Sequence, residues 1–244
     1  MTELAGKTAL VTGGAVRVGR AISLALAGEG MRVVVHYNTS AAAADELCAV
    51  IGRGGGEAVA IGGDLARVEE VRRVAHEAER AFGGLDVLVN NASVFPPERL
   101  EETDEALWEH TLAVNLRAPF FLIRHLAPTL RERRGVVVNL CDLAGLQAWG
   151  TYAAHGISKA ALAHLTKVAA RSLAPEVRVV GIAPGAVLPP ESMTEEELHA
   201  LARSTPLQRL GSPDDVVAAL LYLLRADFVT GEVMVVDGGR MLRG

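Results

Sequence analysis

The stretch TALVTGGAVRVGR, residues 8–20, decides the fold. Its first part is a short apolar run that reads as a strand, and Gly13, Gly14 and Gly19 then open a helix. Outward from there the pattern repeats to the end of the chain. Short β-branched runs at 8–12, 32–36, 58–61, 87–89, 136–140, 177–182 and 233–236 alternate with Ala/Leu-rich segments at 17–28, 41–52, 66–82, 104–131, 152–173 and 213–225. Continuous apolar strands separated by helices predict a doubly wound, Rossmann-like parallel sheet of about seven strands in a three-layer α/β/α arrangement.

Length and composition agree with one such unit. The 244 residues, half of them hydrophobic, can bury one large core, and no linker, repeat or low-complexity block divides 1–244. The less regular segment 186–212, with its acidic run at 195–197, is expected to form a helical lid over the site or a solvated excursion. A net charge of −5 gives no reason to expect a nucleic-acid or anionic-membrane partner. No apolar run reaches eighteen residues and none near Met1 has the length of a signal sequence, so the expectation is a soluble, cytoplasmic protein. Cys48 and Cys141 lie far apart without Cys/His neighbours, which predicts neither a disulfide framework nor a metal site.

In an open parallel sheet, ligands bind beyond the carboxyl ends of the strands. Glycines after the first strand let the backbone approach a pyrophosphate, held by free N–H groups at the helix N-terminus, although tight-turn packing alone would also use them. After the second strand stand His36, Tyr37, Asn38, Thr39 and Ser40, where an acid would meet a free ribose 2′-hydroxyl. With Arg17 in the glycine turn, a cation and hydroxyls replace that acid, which favours the 2′-phosphate of NADP over NAD. Asp64 after the third strand is placed to meet the adenine or to cap the next helix. The fourth strand runs into NNAS (90–93), suited to close approach by a ring, and Ala183-Pro184-Gly185 after the sixth could flank a nicotinamide. In VNLRAPFF (114–121), Pro119 lacks an N–H, so the Asn115 carbonyl loses its helical partner and either holds a water or marks a tolerated kink.

Together TGGAVRVG, NNAS, Asn115, the Lys159 segment and IAPG resemble the short-chain dehydrogenase/reductase family along essentially the whole chain. That family's YxxxK motif, with a Ser thirteen residues before the Tyr, is matched here by His155, Lys159 and Asp142, so both departures fall at the chemistry. An Asp at that Ser position, TGxxxRxG, HYxxS after the second strand and NNASxF after the fourth are similar to pteridine and dihydromonapterin reductases. Asp142, TGGAVRVG, HYNTS (36–40), NNASVF (90–95) and the ending FVTGEVMVVDGGRMLRG carry that likeness.

The resemblance implies NADPH held by Gly13, Arg17, Val18, Gly19, His36, Tyr37, Asn38, Ser40, Asp64, Leu65, Asn91, Ala92, Lys159, Pro184 and Gly185. It implies a pterin stacked on Phe95 with Ser93 and Asp142 at its polar edge, catalysis by Asp142, His155, Lys159 and Asn115, and a homotetramer. On a helix, His155 lies one turn before Lys159, whereas Tyr152 is about 10 Å along the axis from it. His155 therefore takes the catalytic position. A neutral imidazole is a poor acid, but contact with Asp142 favours imidazolium and allows proton donation; the rivals are Asp142 with water alone, or cofactor binding with little turnover. The expected activity is reduction of a dihydropterin by NADPH, the alternatives being a 3-oxoacyl thioester reductase and a non-catalytic NADP-binding protein.

Overall fold

In a computed structural model, which describes residues 3–189 and 193–242, seven parallel strands form one sheet in the order β3-β2-β1-β4-β5-β6-β7. They are β1 (Thr8–Val11), β2 (Arg32–Tyr37), β3 (Ala58–Gly62), β4 (Val87–Asn90), β5 (Val136–Leu140), β6 (Arg178–Pro184) and β7 (Val233–Val236). The helices are α1 (Arg17–Gly28), α2 (Ala41–Arg53), α3 (Val68–Ala81), α4 (Glu105–Leu112), α5 (Ala118–Glu132), α6 (Ala153–Leu173), α7 (Glu195–Arg203) and α8 (Pro213–Arg225). The predicted doubly wound fold is therefore present, with strand ends shifted by at most two residues.

Alternation along each strand divides the core between two faces. Val11, Val33, Val35, Val89, Val138 and Ile182 pack under α1, α2 and α8, where Ile22, Leu26, Leu47 and Leu220 are fully buried. Leu10, Val34, Leu88, Val137 and Val179 point to the opposite layer and meet Val74 of α3, Leu122 and Leu126 of α5, and Leu173 of α6. Both faces of the central strands are covered, so these need no polar side, whereas the edge strand β7 leaves Val235 exposed. The strand order reverses between β1 and β4, which opens a crevice at their carboxyl ends.

The segment 104–131, read from sequence as one helix, is interrupted. Residues Ala113–Arg117 form a π turn between α4 and α5, in which the Ala118 N–H donates to the Ala113 carbonyl five residues back. Proline at 119 cannot donate into the ladder, and the wider turn accommodates that loss next to Asn115. Within 186–212 the expected helix is α7, closed at its start by a capping box between Thr194 and Glu197. Residues 190–192 of that segment lie outside the described residues.

Candidate active site

The glycine turn is built by close packing. Gly13 has φ +60°, and a Cβ on Gly19 would stand 2.1 Å from the Gly13 carbonyl oxygen, so neither position tolerates a side chain without rearrangement. α1 starts at Val16 without a side-chain cap and has no acid in its first turn, leaving its N-terminal N–H groups and positive dipole end for an anion. This cradle fits a pyrophosphate.

His36 stands behind the turn. It is buried, accepts the Gly13 N–H at Nδ1 (3.2 Å) and lies 3.0 Å from the Gly63 carbonyl through Nε2. A carbonyl only accepts, so Nε2 carries the proton and the ring is neutral. Burial is the main reason that its pKa falls to about 4. Both ring nitrogens are thus engaged within the protein, and His36 braces β1, β2 and β3 together, while Asn38 and Thr39 beyond it are exposed. Tyr37 is half-buried with its ring over Gly62. Asp64 accepts the Ala66 N–H at 2.9 Å, three residues before Arg67, the N-terminal boundary of α3, whose side chain makes no cap, and Leu65 is a core residue. Arg17, itself at φ +52°, donates from Nη2 to the Leu188 carbonyl at 2.7 Å and ties the turn to the segment after β6.

Across the crevice, Asn91 donates from Nδ2 to the carbonyls of Thr12 and Gly13, at 2.8 and 3.1 Å. The Thr12 hydroxyl receives the N–H groups of Asn91 and Ala92. Thr12, unremarked in sequence, therefore holds the two strand ends in register. Below it, Asn90 donates to Asn139 and Asn139 to Thr166, a buried chain joining β4, β5 and α6. Asn90 belongs to the NNAS stretch that the sequence singles out for a ring, whereas Asn139 lies within a strand run that carries no such signal. At the far side, the Gly185 N–H pairs with the Val236 carbonyl, and a Cβ on Gly185 would crowd Asp237, so the Pro184-Gly185 turn packs tightly against the C-terminal segment.

The candidate catalytic residues converge. Asn115 is fully buried. Its Oδ1 accepts the Val94 N–H (2.8 Å) and the Ser93 hydroxyl (3.2 Å), and its Nδ2 donates to the Val94 carbonyl and to Ser158 Oγ, both at 3.0 Å. The sequence points to a free Asn115 main-chain carbonyl; in the structure the side chain is what engages the site, clamping the loop after β4. His155 is 2% exposed, and its Nδ1 lies 3.0 Å from the Val94 carbonyl, so that nitrogen carries a proton. Nε2 has no hydrogen-bond partner among the described residues, and Asp142 Oδ2 stands 3.7 Å from it. Asp142, its side chain 27% exposed, has its other oxygen fixed by the Ala144 N–H at 2.8 Å. Lys159 is buried and donates to the Leu140 carbonyl at 2.7 Å; burial lowers its pKa from the ordinary lysine value.

Phe95 reaches over this group, half exposed. Its ring stacks on Tyr152 at a centroid distance of 4.0 Å and 7° between planes, and meets His155 edge-on at 4.4 Å. Ser93 is exposed beside it. Tyr152 precedes α6 in a left-handed conformation, so it lies outside the helix that carries His155 and Lys159. Glu98, overlooked in sequence, is buried and accepts the Ala154 N–H through Oε1, which caps α6 from the loop after β4.

Comparison with known proteins places this architecture. The profile of the family described as Enoyl-(Acyl carrier protein) reductase matches residues 14–240. A 3-oxoacyl-[acyl-carrier-protein] reductase of Synechocystis sp. is 33% identical, over 99% of this chain and all of that protein. A FolM alternative dihydrofolate reductase 1 from Brucella canis, solved complexed with NADP, superposes with a TM-score of 0.93 at 34% identity, covering 98% of this chain and 96% of that one. With the glycine turn, the Asn115 clamp and the lysine of α6 all in place, this chain belongs to the short-chain dehydrogenase/reductase family.

Proposed function

We propose that this oxidoreductase reduces a dihydropterin or similar flat heteroaromatic imine with NADPH. The observation that carries the reading is the pairing of Asp142 with His155 at positions where the family pattern holds serine and tyrosine. Ketone reduction develops an alkoxide, which a carboxylate repels; a pterin edge presents N–H groups and a ring nitrogen that gains a proton, which a carboxyl group complements.

When bound, NADPH supplies a hydride to the carbon of the ring C=N bond. The α1 cradle and Gly13 receive its pyrophosphate, and Arg17, Asn38 and Ser40 take the 2′-phosphate, since no acid stands at the end of β2. His36 supports this region from behind. Asp64, Leu65, Asn91 and Ala92 line the adenine and nicotinamide path, with Lys159, Pro184 and Gly185 at its inner end.

The proton reaches the ring nitrogen through Asp142. An imidazole lone pair aimed at a carboxylate 3.7 Å away is unfavourable with no proton between them. One proton shared by the pair removes both the orphaned nitrogen and the repulsion. His155 Nε2 is sealed from solvent whereas Asp142 is partly open, so the proton that the pair shares leaves through Asp142 to the ring nitrogen and is replaced from solvent at Asp142, with His155 holding it between turnovers. Ser93 and Phe95 hold the ring against this pair. Phe120, Ile157 and Val168, exposed apolar residues on α5 and α6, support assembly as a homotetramer.

The similarity to a 3-oxoacyl-[acyl-carrier-protein] reductase supports a second reading, reduction of an acyl thioester ketone. Initial rates of NADPH oxidation with 7,8-dihydropterin and, in parallel, with an acetoacetyl thioester decide between them. Turnover selective for the pterin is the expected result; turnover of the thioester alone overturns it, and NADPH binding without turnover of either points to a non-catalytic NADP-binding protein.

A further inference from the structure

Tyr152 is placed at a cost that its backbone contacts oppose. A side chain at φ 68°, ψ 42° in the left-handed region costs about 1–2 kcal/mol, which glycine would avoid. The residue is held there by its N–H donating to the Glu98 carbonyl at 2.7 Å and by its carbonyl receiving the Gly156 N–H at 2.8 Å. Alongside, Arg99 and Thr151 form an antiparallel bridge, and the Glu98 carboxylate grips the Ala154 N–H at 3.1 Å. The loop after β4 and the start of α6 are thereby sewn together, and the tyrosine ring is delivered parallel to Phe95. Trp149 closes the outer side of Tyr152 edge-on at 6.4 Å, with the Arg240 guanidinium 5.6 Å from its ring.

One face of Phe95 is therefore occupied within the protein, while the ring remains 48% exposed. Its position is fixed from two directions, by Tyr152 against the face and His155 against the edge. An aromatic ring so held offers its open face to a planar ligand without first losing side-chain freedom, and offset stacking contributes about 0.5–1.5 kcal/mol beyond area burial. A flexible acyl chain gains nothing comparable from it.

We propose that Tyr152 is a specificity-determining positioning residue: stacked behind Phe95, it makes that ring a rigid platform which selects flat heteroaromatic substrates over flexible acyl ones. The inference rests on the reading of the site as one for a planar ring, and the test separates the two. Tyr152→Gly removes the ring while suiting the left-handed backbone, so the variant is expected to fold; Tyr152→Phe keeps the stack. Binding of 2,4-diaminopteridine to the NADP⁺-loaded protein is followed by fluorescence titration, beside dihydropterin KM and kcat and the Kd for NADPH. For Tyr152→Gly, at least tenfold weaker diaminopteridine binding is expected, with NADPH affinity within twofold of the parent and no comparable change for an acetoacetyl thioester. Tyr152→Phe should restore binding to within twofold. If the parent binds diaminopteridine yet does not turn over dihydropterin, the assignment of the reaction fails and the platform stands when Tyr152→Gly weakens the probe. Failure of the parent to bind the planar probe, or equal binding by Tyr152→Gly, overturns the platform.

Discussion

His155 Nε2 lies 3.7 Å from Asp142 Oδ2 and has no hydrogen-bond partner among the described residues, while the opposite ring nitrogen is fixed on the Val94 carbonyl. The imidazole has one unsatisfied direction, and it points at the carboxylate. Proton transfer by a positioned side chain contributes about 10²–10⁴-fold in rate. Asp142→Asn should accordingly lower kcat with dihydropterin by at least 10²-fold with NADPH affinity unchanged. His155→Phe, which keeps a ring of similar size, should lower it less, by about tenfold, and alter the pH profile of kcat. Equal rates for Asp142→Asn and the parent would remove the carboxyl group from the chemistry.

Cofactor choice rests on the absence of an acid after β2 and on the cation of Arg17 in the glycine turn. Asn38→Asp places a carboxylate where a 2′-phosphate would lie, and like charges there disfavour binding. The expected outcome is a tenfold or greater rise in the Kd for NADPH and a fall in that for NADH, read by fluorescence titration. Arg17→Ala should weaken NADPH with little effect on NADH.

Stability should depend on pH through His36. Unfolded, its imidazole titrates near 6.5; folded, it is held at about 4. Between those values the unfolded chain binds a proton that the folded chain refuses, so this contribution is full above 6.5, declines as pH drops toward 4 and levels off below. The loss amounts to roughly 3 kcal/mol across that window. Urea unfolding at pH 7 and pH 5 should show a lower midpoint at pH 5, and His36→Gln, though less stable at pH 7, should flatten the difference.

Asn115 satisfies both the N–H and the carbonyl of Val94 and also reaches Ser93 and Ser158. Asn115→Ala leaves the Val94 N–H without its partner, at a cost of about 1–3 kcal/mol, and removes one of the two donors to the Val94 carbonyl. Thermal denaturation should show a clear fall in Tm, and dihydropterin KM should rise because Ser93 and Phe95 lose their anchor. An unchanged KM would separate the clamp from substrate binding.

Much of this was legible in the chain because it depends on local rules. Alternation of β-branched runs with Ala/Leu-rich segments fixes a covered parallel sheet, and glycines at 13 and 19 mark a turn that only they can make. The positions of His155 and Lys159 come from spacing along one helix, and that of Asp142 from a known pattern. Less legible were the relations made across the sheet. His36 reads as a residue facing the cofactor because it ends β2, yet its neighbours Gly13 and Gly63 are 23 and 27 residues away and take both its nitrogens. Tyr152 reads as the first residue of a helix, since periodicity is blind to the sign of φ. Glu98 carries no pattern at all, its role being set by where the loop after β4 happens to meet α6.

The π turn at Ala113–Arg117 gives the long segment after Asp104 a broken rotational phase. One extra residue in a turn displaces everything beyond it by about 100° around the axis. Asn115 can therefore look into the crevice while Leu122, Leu126 and Leu130 look into the core from what is nearly the same rod. Removal of a single residue here would tighten the ladder and swing the amide out of the crevice with the core stripe left in place. Insertions and deletions in this stretch are consequently read in degrees of rotation, and a variant one residue shorter should keep its fold while losing its grip on Val94.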